Sequence, residues 1–143
     1  MTGPWYPPHK FTESLNDDWC VYNDPWPFHV DQGNLGDCGL IAALQAISRR
    51  KELLFVNRKW EVIKFDYHIP QYNRRQVFAQ TNNNQLWVSF IEKAFAKIKG
   101  SYANLRAISC KEALTCLTSC PSTLIIIDKD KDSENIWEDF IKY

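Results

Sequence analysis

The residues in this chain best suited to do chemistry are a cysteine and a glutamine six positions before it. Residues 32–38 read Q-G-N-L-G-D-C, which places Gln32 and Cys38 at either end of a stretch with two glycines. A thiolate is a strong nucleophile, and the partial positive charge at a helix N-terminus favours it over the thiol. The Gln32 amide and the backbone N–H of Cys38 could donate hydrogen bonds to an oxyanion. The pair indicates attack on a carbonyl carbon.

The apolar run after Cys38 predicts the helix that would position its thiol. Asp37, directly before the cysteine, is a residue type whose side chain caps helices. The sequence therefore predicts a buried helix that begins at Cys38 and has Asp37 as its cap. A cysteine that merely packs in the core is the alternative, since free cysteines are often buried. The prediction rests on four apolar residues at helical spacing: Leu40, Ile41, Leu44 and Ile47.

A second helix is predicted over residues 87–98, where an apolar stripe repeats with helical spacing until Gly100 ends it. We expect this stripe to face the core and Glu92 and Lys93 to lie on the other side. A capping box that starts at Ser109 predicts a shorter helix to about residue 117. The stripe consists of Trp87, Phe90, Ile91, Ala94, Phe95 and Ile98.

Strand-forming residues separate the first two helices. Residues 60–65 are rich in β-branched and aromatic side chains and predict a strand, which residues 67–70 end. Residues 76–79 are the predicted hairpin partner. The sequence thus indicates a small antiparallel hairpin between the helices.

Two separated motifs resemble those of the calpain family of papain-like cysteine proteases. Residues 32–38 are similar to the family's Q-G-x-L-G-D-C run, and residues 86–102 resemble its W-x-x-L-x-E-K-A-Y-A-K and G-S-Y segment. Residues 60–70 are similar to its W-x-x-V-x-x-D-x-x-L-P strand. The resemblance extends over about residues 19–117. It implies an α+β fold, a papain-like and mostly helical lobe around a central helix headed by Cys38.

The resemblance also implies a reaction, the hydrolysis of internal peptide bonds. Cys38 would be the nucleophile, and Gln32 would hold the oxyanion. The family's catalytic histidine and asparagine follow the cysteine by well over a hundred residues, and none of the three histidines here, His9, His29 and His68, matches. We therefore expect a cysteine-bearing lobe, truncated before the His/Asn lobe and inactive alone. Its expected partners are a polypeptide substrate or a His/Asn-bearing lobe.

The alternative function is a non-catalytic binding or regulatory module derived from a calpain. Two departures from the family pattern bear on this choice. Gly39 stands where the family has a tryptophan, which should remove an aromatic wall and loosen the start of the helix. The positions of the family's calcium-binding carboxylates fall on His29 and Gln85, neither of which offers a negatively charged ligand. We predict no cofactor and no metal, calcium included.

Composition limits the classes of partner. The chain has 17 basic and 17 acidic residues, so its net charge of zero predicts no nucleic-acid or anionic-membrane partner. We find no signal peptide and no apolar run long enough for a membrane span. Five cysteines, an odd number, suit reduced thiols, and we predict a cytoplasmic protein.

The chain divides by composition into two parts. Residues 1–28 are rich in proline and aromatic residues and predict an irregular clasp over the core. Residues 29–143 are the predicted catalytic-core subdomain that carries the nucleophile.

Overall fold

In the residues that the structure describes, the fold combines three named helices with short antiparallel strands. The computed structural model describes residues 4–8, 19–24, 26–50, 62–73, 75–123, 137–138 and 141. This α+β arrangement confirms the predicted fold class. The strands are β1 (Trp5–Tyr6), β2 (Val30–Asp31), β3 (Ile69–Tyr72), β4 (Arg75–Gln76) and β5 (Gln80–Thr81), the helices are α1 (Cys38–Ile47), α2 (Trp87–Ile98) and α3 (Cys110–Thr118), and 3-10 turns span Pro27–His29 and Tyr102–Leu105.

The strands form two small sheets. In one, the order is β1-β3-β4, and in the other β2 pairs with β5, with all pairs antiparallel. The predicted strand at residues 60–65 is wrong for its described part, residues 62–65, because pairing begins only at β3. The predicted partner at 76–79 is also displaced. The Val77 N–H still donates to the carbonyl of Pro70 in β3 at 3.2 Å, but the Val77 carbonyl accepts from Asn34 and the Ala79 N–H donates to Glu92, so regular strand pairing does not extend to residue 79.

Helix α1 forms the centre of the core, as the apolar spacing predicts. Leu40 and Leu44 are completely buried, together with Leu105 of the second 3-10 turn and Ala113 of α3. Because α1 and α3 pack directly on each other, the helix start at Cys38 lies against the segment that leads into α3.

Helix α2 departs from the predicted orientation of its polar residues. Trp87 and Phe95 of the predicted stripe are buried, but Ile98 is 57% exposed, whereas Glu92 and Lys93 are 1% and 8% exposed. The reason is tertiary, since backbone groups of other segments approach this side of the helix and bond to both charged side chains. The prediction that Glu92 and Lys93 face away from the core is therefore wrong.

The described part of the N-terminal segment packs on α2 and its surroundings. Strand β1 pairs with β3, and the Trp5 ring meets the Tyr102 ring edge-on at 5.8 Å between centroids. Further along, Cys20 bridges to Gln85. These contacts suit the predicted clasp, whose boundary at residue 28 stays a prediction.

Candidate active site

The site begins at the first residue of α1. Cys38 opens this helix and is exposed, so its side chain is not a core-packing residue. The carbonyl of Asp37 accepts the first bonds of the helix, from the N–H groups of Leu40 at 2.8 Å and Ile41 at 3.2 Å. The structure therefore places an accessible thiol in the partial positive charge of a helix N-terminus.

Residues 32–38, here called the oxyanion loop, are held from two sides. The N–H of Asn34 donates to the carbonyl of Val77 at 3.0 Å, and that of Ala107 donates to Gly36 at 2.9 Å. Gly33 has a φ of +72°, and a Cβ there would lie 2.5 Å from the carbonyl oxygen of Phe78. Glycine meets both requirements, because it tolerates positive φ and leaves room for the neighbouring backbone.

Gln32 lies in the same loop as Cys38 and is half-buried. Its amide nitrogen donates to the carbonyl of Leu35, and the amide also lies close to the carboxyl group of Asp37. The side chain that is predicted to hold an oxyanion is thus bonded to the carbonyl of Leu35 in its own loop.

Asp37 does not cap α1 with its side chain, which corrects the sequence prediction. No side-chain cap bond is formed, and the carboxyl is completely buried. Among the described residues, neither carboxyl oxygen has a donor at full hydrogen-bonding geometry, although the Glu92 carboxyl and the Gln32 amide are close. Burial raises the pKa of Asp37, and these neighbours offset that rise in part.

Glu92 of α2 brings a second carboxyl group to Asp37. Both of its oxygens accept from the N–H of Ala79, at 3.3 and 3.2 Å. Burial, followed by the nearby charge of Asp37, raises the pKa of Glu92 to about 9. Sequence reasoning missed this residue because it assigned Glu92 to the solvent side of the helix. The available signal was the E-K pair inside the motif at residues 86–97.

The phenol of Tyr102 lies near the two carboxyl groups. Its ring stacks on Phe78 with 4.6 Å between centroids. Burial and then the charges of Glu92 and Asp37 raise the pKa of Tyr102. The phenol therefore stays neutral and adds no charge to the pair.

Gly39 is where α1 and the segment before α3 come closest. A Cβ at this position would lie 2.1 Å from the carbonyl oxygen of Ile108 and 2.7 Å from the backbone nitrogen of Cys110. The glycine therefore makes close packing possible, a role that the expectation of a lost aromatic wall and a looser helix start did not include. A tryptophan at this position, as in the family motif, has no room in this arrangement.

The two described histidines have partners of their own. The side-chain nitrogen of Asn83 donates to Nδ1 of His29 at 3.1 Å, and Nδ1 of His68 lies 3.4 Å from the Asp66 carboxylate. His9 lies outside the described residues. In these contacts each described histidine is paired with a residue other than Cys38.

The calcium position carried over from the family does not fit the groups found there. Oε1 of Gln85 accepts from the N–H of Asn23 at 2.8 Å, and Nε2 donates to the Asn23 carbonyl at the same distance. Both ends of the amide are thus used by backbone, where calcium would need a free and preferably charged oxygen. In the described parts of the chain, no three His, Cys, Asp or Glu side chains cluster as metal ligands would.

An exposed cysteine at a helix start, with a glutamine in the loop before it, is the arrangement that the resemblance to papain-like cysteine proteases predicts. Comparison with known proteins names the family. The family model "Calpain family cysteine protease" matches residues 53–143. Calpain-A of Drosophila melanogaster is 30% identical over 137 residues, which cover 80% of this chain and 16% of that protein. The chain belongs to the calpain family of cysteine proteases.

Two further relatives give the same result. The calpain-type cysteine protease DEK1 of Arabidopsis thaliana is 30% identical over 141 residues, 82% of this chain and 7% of its own length. Calpain clp-1 of Caenorhabditis elegans is 30% identical over 114 residues, 64% of this chain and 15% of its own. The chain thus spans less than a fifth of the length of these relatives.

The described helices are all short. None of them has the length and apolar character needed to cross a lipid bilayer.

Proposed function

We propose that this chain is the nucleophile-bearing lobe of a calpain-type cysteine endopeptidase. The observation that carries the proposal is the exposed Cys38 at the first residue of α1, with Gln32 in the loop that leads into it. The family match at residues 53–143 begins after both residues, so their roles rest on the motif and the geometry. Such an enzyme acts on polypeptides and needs no cofactor in this lobe.

The proposed reaction begins with attack of the Cys38 thiolate on a peptide carbonyl. The carbonyl oxygen gains negative charge, and the backbone N–H of Cys38 and one N–H of Gln32 donate hydrogen bonds to it. For this step the Gln32 amide keeps its bond to Leu35 and directs its other N–H to the substrate. The loop contacts from Val77 and Ala107 hold the backbone during this change.

A base has to come from outside the described residues. A thiol protease needs a histidine to take the proton from the thiol and return it to the leaving amine, and both described histidines are bonded elsewhere. We therefore propose a His/Asn-bearing lobe as the partner and no turnover by this chain alone. We further propose a cytoplasmic protein without nucleic-acid or membrane partners, as the balanced charge predicts.

Alkylation of the full chain tests the nucleophile and has an internal control. Cys38 and Cys116 are both exposed, but Cys38 starts α1 whereas Cys116 lies in the last turns of α3. Limited iodoacetamide, followed by peptide mapping, should label Cys38 at least tenfold faster than Cys116 at neutral pH, because the helix start favours the thiolate. Equal rates at the two residues would contradict the proposal.

Turnover tests the oxyanion role. The chain is mixed with a His/Asn-bearing calpain lobe, and cleavage of a fluorogenic peptide is measured. Gln32→Ala should lower kcat by roughly a hundredfold or more, since that is the effect of losing one oxyanion donor. Gln80→Ala, on β5, is the matched control and should leave the rate unchanged. If Gln32→Ala cleaves as fast as the parent chain, Gln32 has no such role.

A second function, a non-catalytic module derived from a calpain, is favoured by one observation. The Gln32 amide is bonded inside its own loop, to the carbonyl of Leu35. If the amide never leaves this position, the chain keeps the fold of the lobe without an oxyanion donor at Gln32. Uniform alkylation of the cysteines together with saturable binding of a peptide to the chain would support the module over the enzyme.

A further inference from the structure

Two buried carboxyl groups lie together beside the start of α1. Asp37, the residue before Cys38, is completely buried, and Glu92 of α2 is 1% exposed. The two carboxyl groups lie close enough to interact, and neither oxygen of Asp37 has another hydrogen-bond partner among the described residues. Two carboxylates in one dry site repel each other, and each also loses its hydration, so they do not both ionise. One proton is therefore held between Asp37 and Glu92.

The surroundings of the pair indicate which residue carries the proton. Asp37 has the Gln32 amide close by but no donor at full geometry among the described residues, so it needs a proton donor. Glu92 has one long, shared bond from the Ala79 N–H, at 3.3 and 3.2 Å, which leaves an oxygen for a proton. Burial, followed by the charge of Asp37, raises the pKa of Glu92 to about 9, which agrees with a protonated Glu92 at neutral pH.

We propose that Glu92 is a positioning residue of the Cys38 site. Its protonated carboxyl group donates a hydrogen bond to Asp37 and so joins α2 to the oxyanion loop. When Glu92 gives this proton to solvent at alkaline pH, Asp37 keeps the Gln32 amide as its remaining nearby side-chain donor. The amide is then drawn toward Asp37 and away from a substrate. This last consequence rests on the proposed function, but the shared proton does not.

The other groups around Glu92 in the described parts of the chain do not supply a charge that would ionise it. The segment before β5 contributes the neutral Ala79 N–H. The 3-10 turn after α2 contributes Tyr102, which burial keeps neutral. Lys93, next in sequence on α2, directs its ammonium group to Asp66 and to the carbonyl of His68. Asp37 is thus the charged group that faces Glu92, and it favours retention of the proton.

Infrared spectroscopy of the full chain tests the shared proton directly. We expect the carbonyl stretch of an un-ionised carboxylic acid at neutral pH, which should fade as the pH is raised toward about 9. Glu92→Gln should lack this band, and Glu112→Gln, at an exposed glutamate of α3, should keep it as the matched control. Absence of the band from the wild-type chain at neutral pH would overturn the proposal.

The positioning role needs a readout that depends on pH at the cysteine itself. We expect the ratio of the alkylation rates of Cys38 and Cys116 to change in the wild-type chain over the pH range in which the infrared band fades. Ionisation of the thiols themselves changes this ratio in both proteins, so the expected difference is an additional change in the wild-type chain that Glu92→Gln lacks, because its amide donates to Asp37 at every pH. The same pH profile in both proteins would contradict the role of Glu92.

A second variant covers the case in which Glu92→Gln does not fold. Asp37→Asn places an amide donor opposite Glu92, so it keeps one donor between the two side chains and should also remove the pH transition at Cys38. The two proposals fail separately. If the infrared band is present but Cys38 is not labelled faster than Cys116, the shared proton is supported and the nucleophile is refuted. If Cys38 is labelled faster but the band is absent, the nucleophile is supported and the shared proton is refuted.

Discussion

Glu92 and Lys93 are neighbours on α2 and are both buried, yet they have opposite surroundings. Lys93 donates to the carbonyls of Asp66 and His68, both at 2.7 Å, and to the Asp66 carboxylate at 2.5 Å. Glu92 receives one shared N–H, from Ala79, and meets a second acid, Asp37. The buried positive charge of Lys93 is thus compensated by its acceptors, whereas the buried carboxyl group of Glu92 carries no charge.

The difference shows how one helix supports two kinds of neighbour. The Lys93 side attaches residues 62–68 to α2 through a full set of acceptors, and its ammonium also lies 4.9 Å from the centre of the Trp5 ring. The Glu92 side attaches the oxyanion loop through a carboxyl group that is stable there only with its proton. We infer that the first contact is structural and that the second is responsive to pH.

The largest effect is expected from Glu92→Ala. The variant removes the proton donor of Asp37, leaves the Ala79 N–H without an acceptor and creates a cavity. Together these should lower the free energy of unfolding by about 3 kcal/mol or more. Urea denaturation at neutral pH measures this loss, with Glu112→Ala, at an exposed site, as the control. A loss equal to that of the control would mean that Glu92 carries no structural contact.

Lys93→Met should have the next largest effect. Methionine keeps most of the apolar stem but leaves the carbonyls of Asp66 and His68 without their donor, so a loss of about 2 kcal/mol is expected. Lys111→Met, at an exposed lysine of α3, is the matched control, because Lys97 itself donates to the carbonyl of Lys64 in residues 62–68. Residues 62–68 should exchange their amide hydrogens faster in Lys93→Met. Unchanged amide exchange would mean that the Lys93 side chain does not stabilise residues 62–68.

Gly39→Ala tests whether the backbone around the site is rigid. Its Cβ would collide with the Ile108 carbonyl oxygen, and we expect a loss of about 2 kcal/mol, since overpacking outweighs the better helix propensity of alanine. Gly36→Ala is the control, because the nearest atom to its Cβ, in Arg106, is 4.0 Å away. Equal thermal midpoints for the two variants would show that the segment before α3 moves freely.

The contributions of Glu92 and Asp66 to stability should change with pH in opposite directions. The raised pKa of Glu92 gives a contribution that is complete below its ordinary value of 4.5 and is lost as the pH rises toward about 9. The slope is at most about 1.4 kcal/mol per pH unit, the value for one proton. Glu92→Gln should flatten this alkaline decline in urea titrations. A decline of the same slope in Glu92→Gln would assign it to another group.

Asp66 should behave in the opposite way, with the smallest effect of the series. The Lys93 ammonium lowers the pKa of Asp66, so its contribution is present above the ordinary value of 3.8 and is lost only as the pH falls below it. Because the Asp66 side chain is 65% exposed, Asp66→Asn should lower stability by less than about 1 kcal/mol. A larger loss would mean that the carboxylate, rather than the two carbonyls, holds Lys93.

Local patterns predicted the elements whose signals are contained in a few consecutive residues. The apolar spacing after Cys38 predicted α1 and its first residue, and the capping box at Ser109 predicted α3, where the Ser109 hydroxyl accepts from the N–H of Glu112. The hairpin was displaced because its extent depends on distant partners of residues 77–79, the backbone of Asn34 and the carboxyl group of Glu92. Strand content alone carries no information about these partners.

The position of Cys38 at the head of an apolar helix follows from the order of the residues, because helical periodicity and the two glycines before it act within one short segment. The direction of the Asp37 side chain, the burial of Glu92 and the close approach at Gly39 depend instead on segments far apart in the chain. Tertiary packing decides them, since it alone brings a carboxyl of α2, a backbone N–H before β5 and the start of α3 to one loop.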